Sequence, residues 1–179
     1  MCIRDRLYGS AAAVDPWSGY ADKAGPAVRH QNRGALKDSL GVCDNIFPLL
    51  TDPKRDDYLV EIDGMDGWWL EHHLFEAACD WNLSAEDLDR AGERVFTAER
   101  LLAIRNWGRD RATDETVIPY LRRPEGSVSP YLEERVTLDV AEYRPLLDAC
   151  YALRGWDPAT ARPTEGTLRA LGLEGWLHE

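Results

Sequence analysis

Ser84-Ala85-Glu86-Asp87-Leu88-Asp89-Arg90-Ala91-Gly92-Glu93-Arg94-Val95-Phe96-Thr97-Ala98-Glu99-Arg100-Leu101-Leu102-Ala103-Ile104-Arg105-Asn106-Trp107-Gly108 decides the fold class. Leu88, Ala91, Val95, Ala98 and Leu102 recur at the spacing of one helix face, and Leu101, Ile104 and Trp107 widen it. Asp89, Arg90, Glu93, Arg94 and Arg100 fall on the opposite face. Ser84 followed by Asp87 resembles a capping box, in which each residue satisfies an orphan N–H of the other. Gly108 is a natural stop.

The chain to either side is also helical in pattern but less regular. Leu70, Leu74, Ala77 and Ala78 share a face over residues 69–80. Residues 51–68 hold Asp52-Pro53, a charge run and two glycines, and predict a loop. Ile46-Phe47-Pro48-Leu49-Leu50 is a short apolar run. Residues 29–43 predict a helix ending near Gly41, and residues 7–28 a loop with room for a short helix. Met1 to Arg6 resembles translated adapter sequence, so the expected domain is residues 7–179, a piece truncated upstream. Downstream, residues 108–138 carry Pro119, Pro124, Pro130 and Gly126 and predict an extended connection wrapped on a larger body. Tyr143, Leu146, Leu147, Cys150 and Leu153 mark a helix over 139–153, with Pro145 favouring a start nearer Arg144. Thr164 caps a short helix that Gly172 closes. Strand signals are few, and the expected class is mainly α: an irregular helical domain with long loops.

Composition narrows the function. The chain of 179 residues is long enough to bury a core. Its formal net charge of -11 repels phosphate backbones and argues against nucleic acid. No apolar run is long enough for a membrane span, and no signal peptide is visible, so the expected location is cytoplasmic. Cys2, Cys43, Cys79 and Cys150 are scattered, with no C-x-x-C pair. That excludes a disulfide framework and a complete zinc site, and leaves buried thiols as the ordinary role of each.

Asp38-Ser39-Leu40-Gly41-Val42-Cys43 carries the most chemistry. A carboxylate accepts hydrogen bonds from amine and ring N–H donors. A glycine lets backbone approach a flat ligand. A thiolate binds soft metal, including cluster iron. The plain alternative is a helix end with an incidental buried cysteine. His30 lies close enough to face a cavity and act there as an acid or base. His72 and His73 diverge by about 100° on a helix and read as surface or core residues. Trp68, Trp69 and Trp81 read as core.

These six residues resemble the D-x-x-G-L-C motif of the aldehyde ferredoxin oxidoreductase family, with Val42 in place of leucine. Gly92-Glu93-Arg94-Val95 through Glu99-Arg100-Leu101 resembles the family's G-E-R-I-x-x-L-E-R segment, with Ala98 for the usual leucine. Ile104-Arg105-Asn106-Trp107-Gly108 resembles its N-V-R-E-G region, and Asp114 and Pro119 the pattern that follows, although Leu121-Arg122 is shifted. Tyr151 to Asp157 is similar to Y-x-L-R-G-W-D, and Pro163 to Leu173 to the usual ending. The resemblance implies a tungsten–bis-pterin cofactor bonded by Asp38 and flanked by the backbone at Gly41 and Val42. It implies Cys43 as the fourth ligand of a [4Fe–4S] cluster, with the other three in a C-x-x-C-x-x-x-C run that this chain does not contain.

The activity so implied is oxidation of aldehydes to carboxylic acids with water as oxygen source and ferredoxin as electron acceptor, and a homo-oligomer stays open. The isolated piece is expected to be inactive. Two rivals remain at this level: a benzoyl-coenzyme-A reductase-type catalytic subunit, and a non-catalytic helical interaction module. Glu93, Arg94, Glu99 and Arg100 form either a solvated charged face or a partly buried ion-pair network holding the helix against a larger body, and Arg154-Gly155-Trp156-Asp157 reads as a helix stop and anchor.

Overall fold

Helix α1 spans Ala24–Leu40 and ends at Gly41, whose φ of 68° and ψ of 24° let its N–H return to the carbonyls of Asp38 and Lys37. Glycine adopts this left-handed geometry without the clash a Cβ would bring. The computed structural model to which α1 belongs describes residues 20–21, 23–41, 61–62, 65–66, 70–79, 81, 83–121, 127–128, 135–136 and 138–178. The helix begins upstream of the predicted Arg29, because Pro26 falls in its first turn, where a missing N–H has no helical partner to lose. The apolar run at 46–50 lies outside the described residues.

Strands β1 (Glu61–Ile62) and β2 (Met65–Asp66) pair antiparallel within the stretch expected to be loop. Helix α2 covers Leu70–Cys79, and helix α3 covers Ala85–Trp107. The cap before α3 is the one the sequence predicts: Ser84 Oγ accepts from the Asp87 N–H at 3.1 Å, and Asp87 Oδ2 accepts from the Ser84 N–H at 2.9 Å. Gly108, with φ 63°, ends the helix.

The chain divides into two compact units, residues 1–99 and 100–179, with the division inside α3. In the first unit, Ala24, Ala35, Leu36 and Leu88 are buried, joined by the polar Asn32, Arg33 and Lys37 of α1. The ring Nε2–H of His72 donates to the Leu83 carbonyl, tying α2 to the approach of α3 and bearing out a structural role.

The second unit corrects the expectation of an extended connection after Gly108. Helix α4 (Arg111–Asp114), a 3-10 turn (Glu115–Val117) and helix α5 (Ile118–Leu121) follow almost without a break. Asp110 starts them with a capping box, its side chain accepting from the Thr113 N–H at 2.8 Å. Pro119 is tolerated because it stands in the first turn of α5. Strands β3 (Ser127–Val128) and β4 (Arg135–Val136) form a second antiparallel pair.

Helix α6 runs over Val140–Leu153, capped by Asp139, whose Oδ1 accepts from the Ala141 N–H at 2.8 Å. Pro145 therefore lies inside α6 rather than in its first turn, where it leaves one carbonyl of the preceding turn without its helical N–H partner. Gly155 turns the chain at φ 63° into the antiparallel pair β5 (Trp156–Asp157) and β6 (Arg162–Pro163). Helix α7 (Glu165–Ala170), capped by Thr164, and a 3-10 turn (Glu174–His178) complete the unit. The fold is mainly α, as expected, and no helix among the described residues is long and apolar enough to cross a membrane.

Candidate functional site

The predicted cofactor segment starts on the last turn of α1. Asp38 is exposed there, Ser39 Oγ donates to the Ala35 carbonyl at 2.8 Å, and the exposed Gly41 follows as the helix cap. A Cβ placed on Gly41 would meet nothing within 4 Å, so open space lies beside this backbone. An exposed carboxylate three residues before an open, left-handed glycine suits a flat ligand bearing amine and ring N–H donors. Val42 and Cys43 lie outside the described residues. His30 is half-buried on α1, about two turns before Asp38. Among the described residues no group of three or more His, Cys, Asp or Glu side chains could hold a metal ion.

The remaining cysteines separate in character. Cys150 is half-buried, and burial pushes its thiol up, which suits the inert role assigned to it. Cys79 is exposed, which corrects the expectation of a buried thiol: it closes α2, whose last turn is exposed at Glu76, Ala77 and Ala78 as well. Trp81 is likewise not core. It is 65% exposed and stacks on Phe75 with centroids 6.1 Å apart. Its neighbours Trp68 and Trp69 lie outside the described residues, as does the side chain of His73.

The position of α1 depends on α3. At Gly92 a Cβ would stand 2.3 Å from the carbonyl oxygen of Asn32 and 2.9 Å from its carbonyl carbon. The glycine of the G-E-R segment is therefore a close main-chain approach between two helices. Sequence alone identified the residue but not this contact, because the partner lies 60 positions upstream, on α1.

The second unit holds a dense polar cluster that the sequence indicated only as one of two readings. Arg100, 7% exposed, donates from Nε to the Ala161 carbonyl at 3.1 Å and from Nη1 to Asp114 Oδ1 at 2.9 Å, with Nη2 2.9 Å from Oδ2. Asp114 also accepts from Arg109 Nε at 2.7 Å and from the Tyr151 hydroxyl at 2.7 Å. Burial works against the Asp114 charge, but hydrogen bonds from Arg100, Tyr151 and Arg109 overcome it and hold the carboxyl below its ordinary value. Burial, and then the bond to Asp114, push the Tyr151 phenol well up.

Trp156 is buried between the guanidinium groups of Arg100 and Arg154, 5.4 and 5.6 Å from its ring centroid, and stacks on Tyr151. Beside this, Arg111 pairs with Asp148, with Glu115 at 3.0 Å and with the Pro158 carbonyl at 2.6 Å, while Arg144 donates to Glu115 at 2.9 Å. An open cleft of about 500 Å³ lies alongside, lined by Asp110, Arg111, Glu115, Thr160 and Arg162. Asp110, Arg111 and Glu115 are already engaged in capping or pairing, so this region holds the unit together rather than presenting reactive groups.

The R-G-W-D stretch is an anchor, as expected. A Cβ on Gly155 would stand 2.2 Å from Thr167 Oγ1, which donates to the Gly155 carbonyl at 2.7 Å. The Thr164 N–H donates to the same carbonyl at 3.1 Å.

Residues 3–173 match the family model described as aldehyde ferredoxin oxidoreductase, domains 2 & 3. The tungsten-containing aldehyde ferredoxin oxidoreductase of Pyrococcus abyssi is 28% identical over 179 residues, covering 98% of this chain and 25% of that protein. The protein of the same description from Pyrococcus furiosus is 29% identical over 172 residues, covering 96% of this chain and 24% of its own length. That from Thermococcus kodakarensis is 29% identical over 179 residues, with 98% and 25% covered. The chain thus spans about a quarter of the length of the curated relatives it matches.

Proposed function

The chain belongs to the aldehyde ferredoxin oxidoreductase family, and from that membership we propose that residues 7–179 are the C-terminal, cofactor- and cluster-contacting portion of an enzyme that oxidises aldehydes to carboxylic acids. In the overall reaction an aldehyde and water give a carboxylic acid, two protons and two electrons. When bound, a tungsten–bis-pterin centre supplies the two-electron oxidation, and a [4Fe–4S] cluster relays the electrons singly to ferredoxin.

This chain's own residues hold and insulate that machinery. Asp38 would accept hydrogen bonds from the pterin's amine and ring N–H groups, and Gly41 and Val42 would flank it. Cys43 would supply a thiolate to the cluster. His30, half-buried on α1, would take a proton released from the substrate side. The protein acts in the cytoplasm, where free thiols persist.

The observation that carries this reading is the pairing of an exposed Asp38 with the open, left-handed Gly41 at one helix end, in the order the family motif requires. The test is Cys43→Ser in the intact enzyme, with iron and tungsten measured per chain and ferredoxin reduction followed with an aldehyde. The expected outcome is tungsten and cluster iron in the parent, and loss of cluster iron and of ferredoxin reduction in the variant. Unchanged iron and unchanged rate in Cys43→Ser would reject the assigned ligand. A parent without tungsten would reject the activity.

A further inference from the structure

Gly92 lies within the 23-residue helix α3, where glycine is the poorest choice after proline and no turn or positive φ requires it. Its use is steric. A Cβ at this position would meet Asn32 at 2.3 Å from the carbonyl oxygen, 2.9 Å from the carbonyl carbon and 3.4 Å from Cα. All three are main-chain atoms, so no side-chain rotation relieves the contact. Only a shift of one helix against the other, by roughly 1 Å, restores ordinary separation. Gly34, on the neighbouring turn of α1, has nothing within 4 Å of its Cβ position and shows that a helical glycine here need not be a contact.

Asn32 lies nine residues before the Gly41 cap, about 14 Å along a continuous α-helix. Between them Ala35, Leu36 and Lys37 are buried, Lys37 to 1% exposure, so this length of α1 is gripped along its side. A helix so held transmits a displacement rather than absorbing it.

We propose that Gly92 is a positioning residue for the helix end at Asp38 and Gly41: its missing side chain sets how closely α1 seats on α3, and α1 carries that seating to these two residues. This rests on the cofactor role proposed above for that helix end. A displacement of about 1 Å in groups that position a reacting centre costs on the order of 100-fold in rate.

The experiment uses the intact enzyme with Gly92→Ala, and with Gly34→Ala as the glycine control. Leu88→Ala removes a buried side chain one turn before Gly92 on the same face of α3, loosening that face without adding a clash, and decides the matter if Gly92→Ala does not fold. Two readouts are taken. Hydrogen exchange of the amides from Ala35 to Gly41 reports the seating of α1 without reference to any cofactor. The electron paramagnetic resonance signal and midpoint potential of the reduced cluster report its effect on the site.

Gly92→Ala or Leu88→Ala should speed exchange over 35–41 by about tenfold and shift the cluster signal and potential. Gly34→Ala should do neither. Leu168→Ala, in α7, supplies a general loss of stability and should leave the cluster signal unchanged. Exchange and cluster signals like those of the parent in folded Gly92→Ala and Leu88→Ala overturn the proposal, as does an equal cluster shift in Leu168→Ala. Faster exchange in Gly92→Ala, with a parent that carries no cluster, supports the seating and rejects the cofactor reading instead.

Discussion

Asp114→Asn is the sharpest single perturbation of the second unit. The carboxylate accepts from Arg100 at 2.9 Å, Arg109 at 2.7 Å and Tyr151 at 2.7 Å, and its Arg100 partner is only 7% exposed. The amide keeps the size and one acceptor oxygen but removes the charge, leaving the Arg100 guanidinium buried without its counter-ion. Removing one partner of a buried pair costs about 3–5 kcal/mol. Arg109 is half-exposed and can turn to water, so the low end, about 3 kcal/mol, is expected. That is roughly 6–12 °C in Tm for a chain of this size.

A second signature concerns pH. The folded-state pKa of Asp114 lies below its ordinary value, so its contribution is present above the unfolded pKa and fades as pH falls through the folded one. Between the two the unfolded chain binds more protons, and stability rises with pH. Asp114→Asn should flatten this acid limb below about pH 4. Urea unfolding between pH 2.5 and 7, followed by tryptophan fluorescence, measures both effects, since Trp156 is buried against Arg100. A loss under about 1 kcal/mol, or an acid limb as steep as the parent's, would refute the account of Asp114 as the counter-ion that holds Arg100.

Tyr151→Phe should cost about 1 kcal/mol, and less in the Asp114→Asn background, by the same unfolding measurement. Gly155→Ala combines a left-handed φ of 63° with a Cβ 2.2 Å from Thr167 Oγ1 and should cost about 2–3 kcal/mol. Gly172→Ala, at φ 65° in open space, should show only the conformational part, about 1 kcal/mol, by thermal melting. Pro145→Ala should stabilise by about 2 kcal/mol, because alanine restores the N–H that the interior proline of α6 lacks.

What could be read from the residues followed the range of the physics. Caps are local, so Ser84 with Asp87, Thr164 with its helix, and the glycines 41, 108 and 155 were legible from a few neighbouring positions. The helical run at 111–121 was hidden because Pro119 and the charges around it suggest a loop, and only the Asp110–Thr113 box points the other way. Arg100 was harder still. Its acceptors lie 14 and 61 residues away, and helix periodicity says which side of α3 it occupies, not what waits there. A solvated arginine and a buried, doubly bonded one share the same spacing.

The same limit governs the candidate site. Asp38 and Gly41 could be singled out because a carboxylate and a permissive glycine at one helix end have obvious uses. The sequence does not disclose the close approach of Gly92 to the main chain of Asn32, where less space is left than a methyl group needs. In the seating proposed above, the G-E-R segment fixes how closely α1 approaches α3, and the helix end at Asp38 and Gly41 is what α1 delivers.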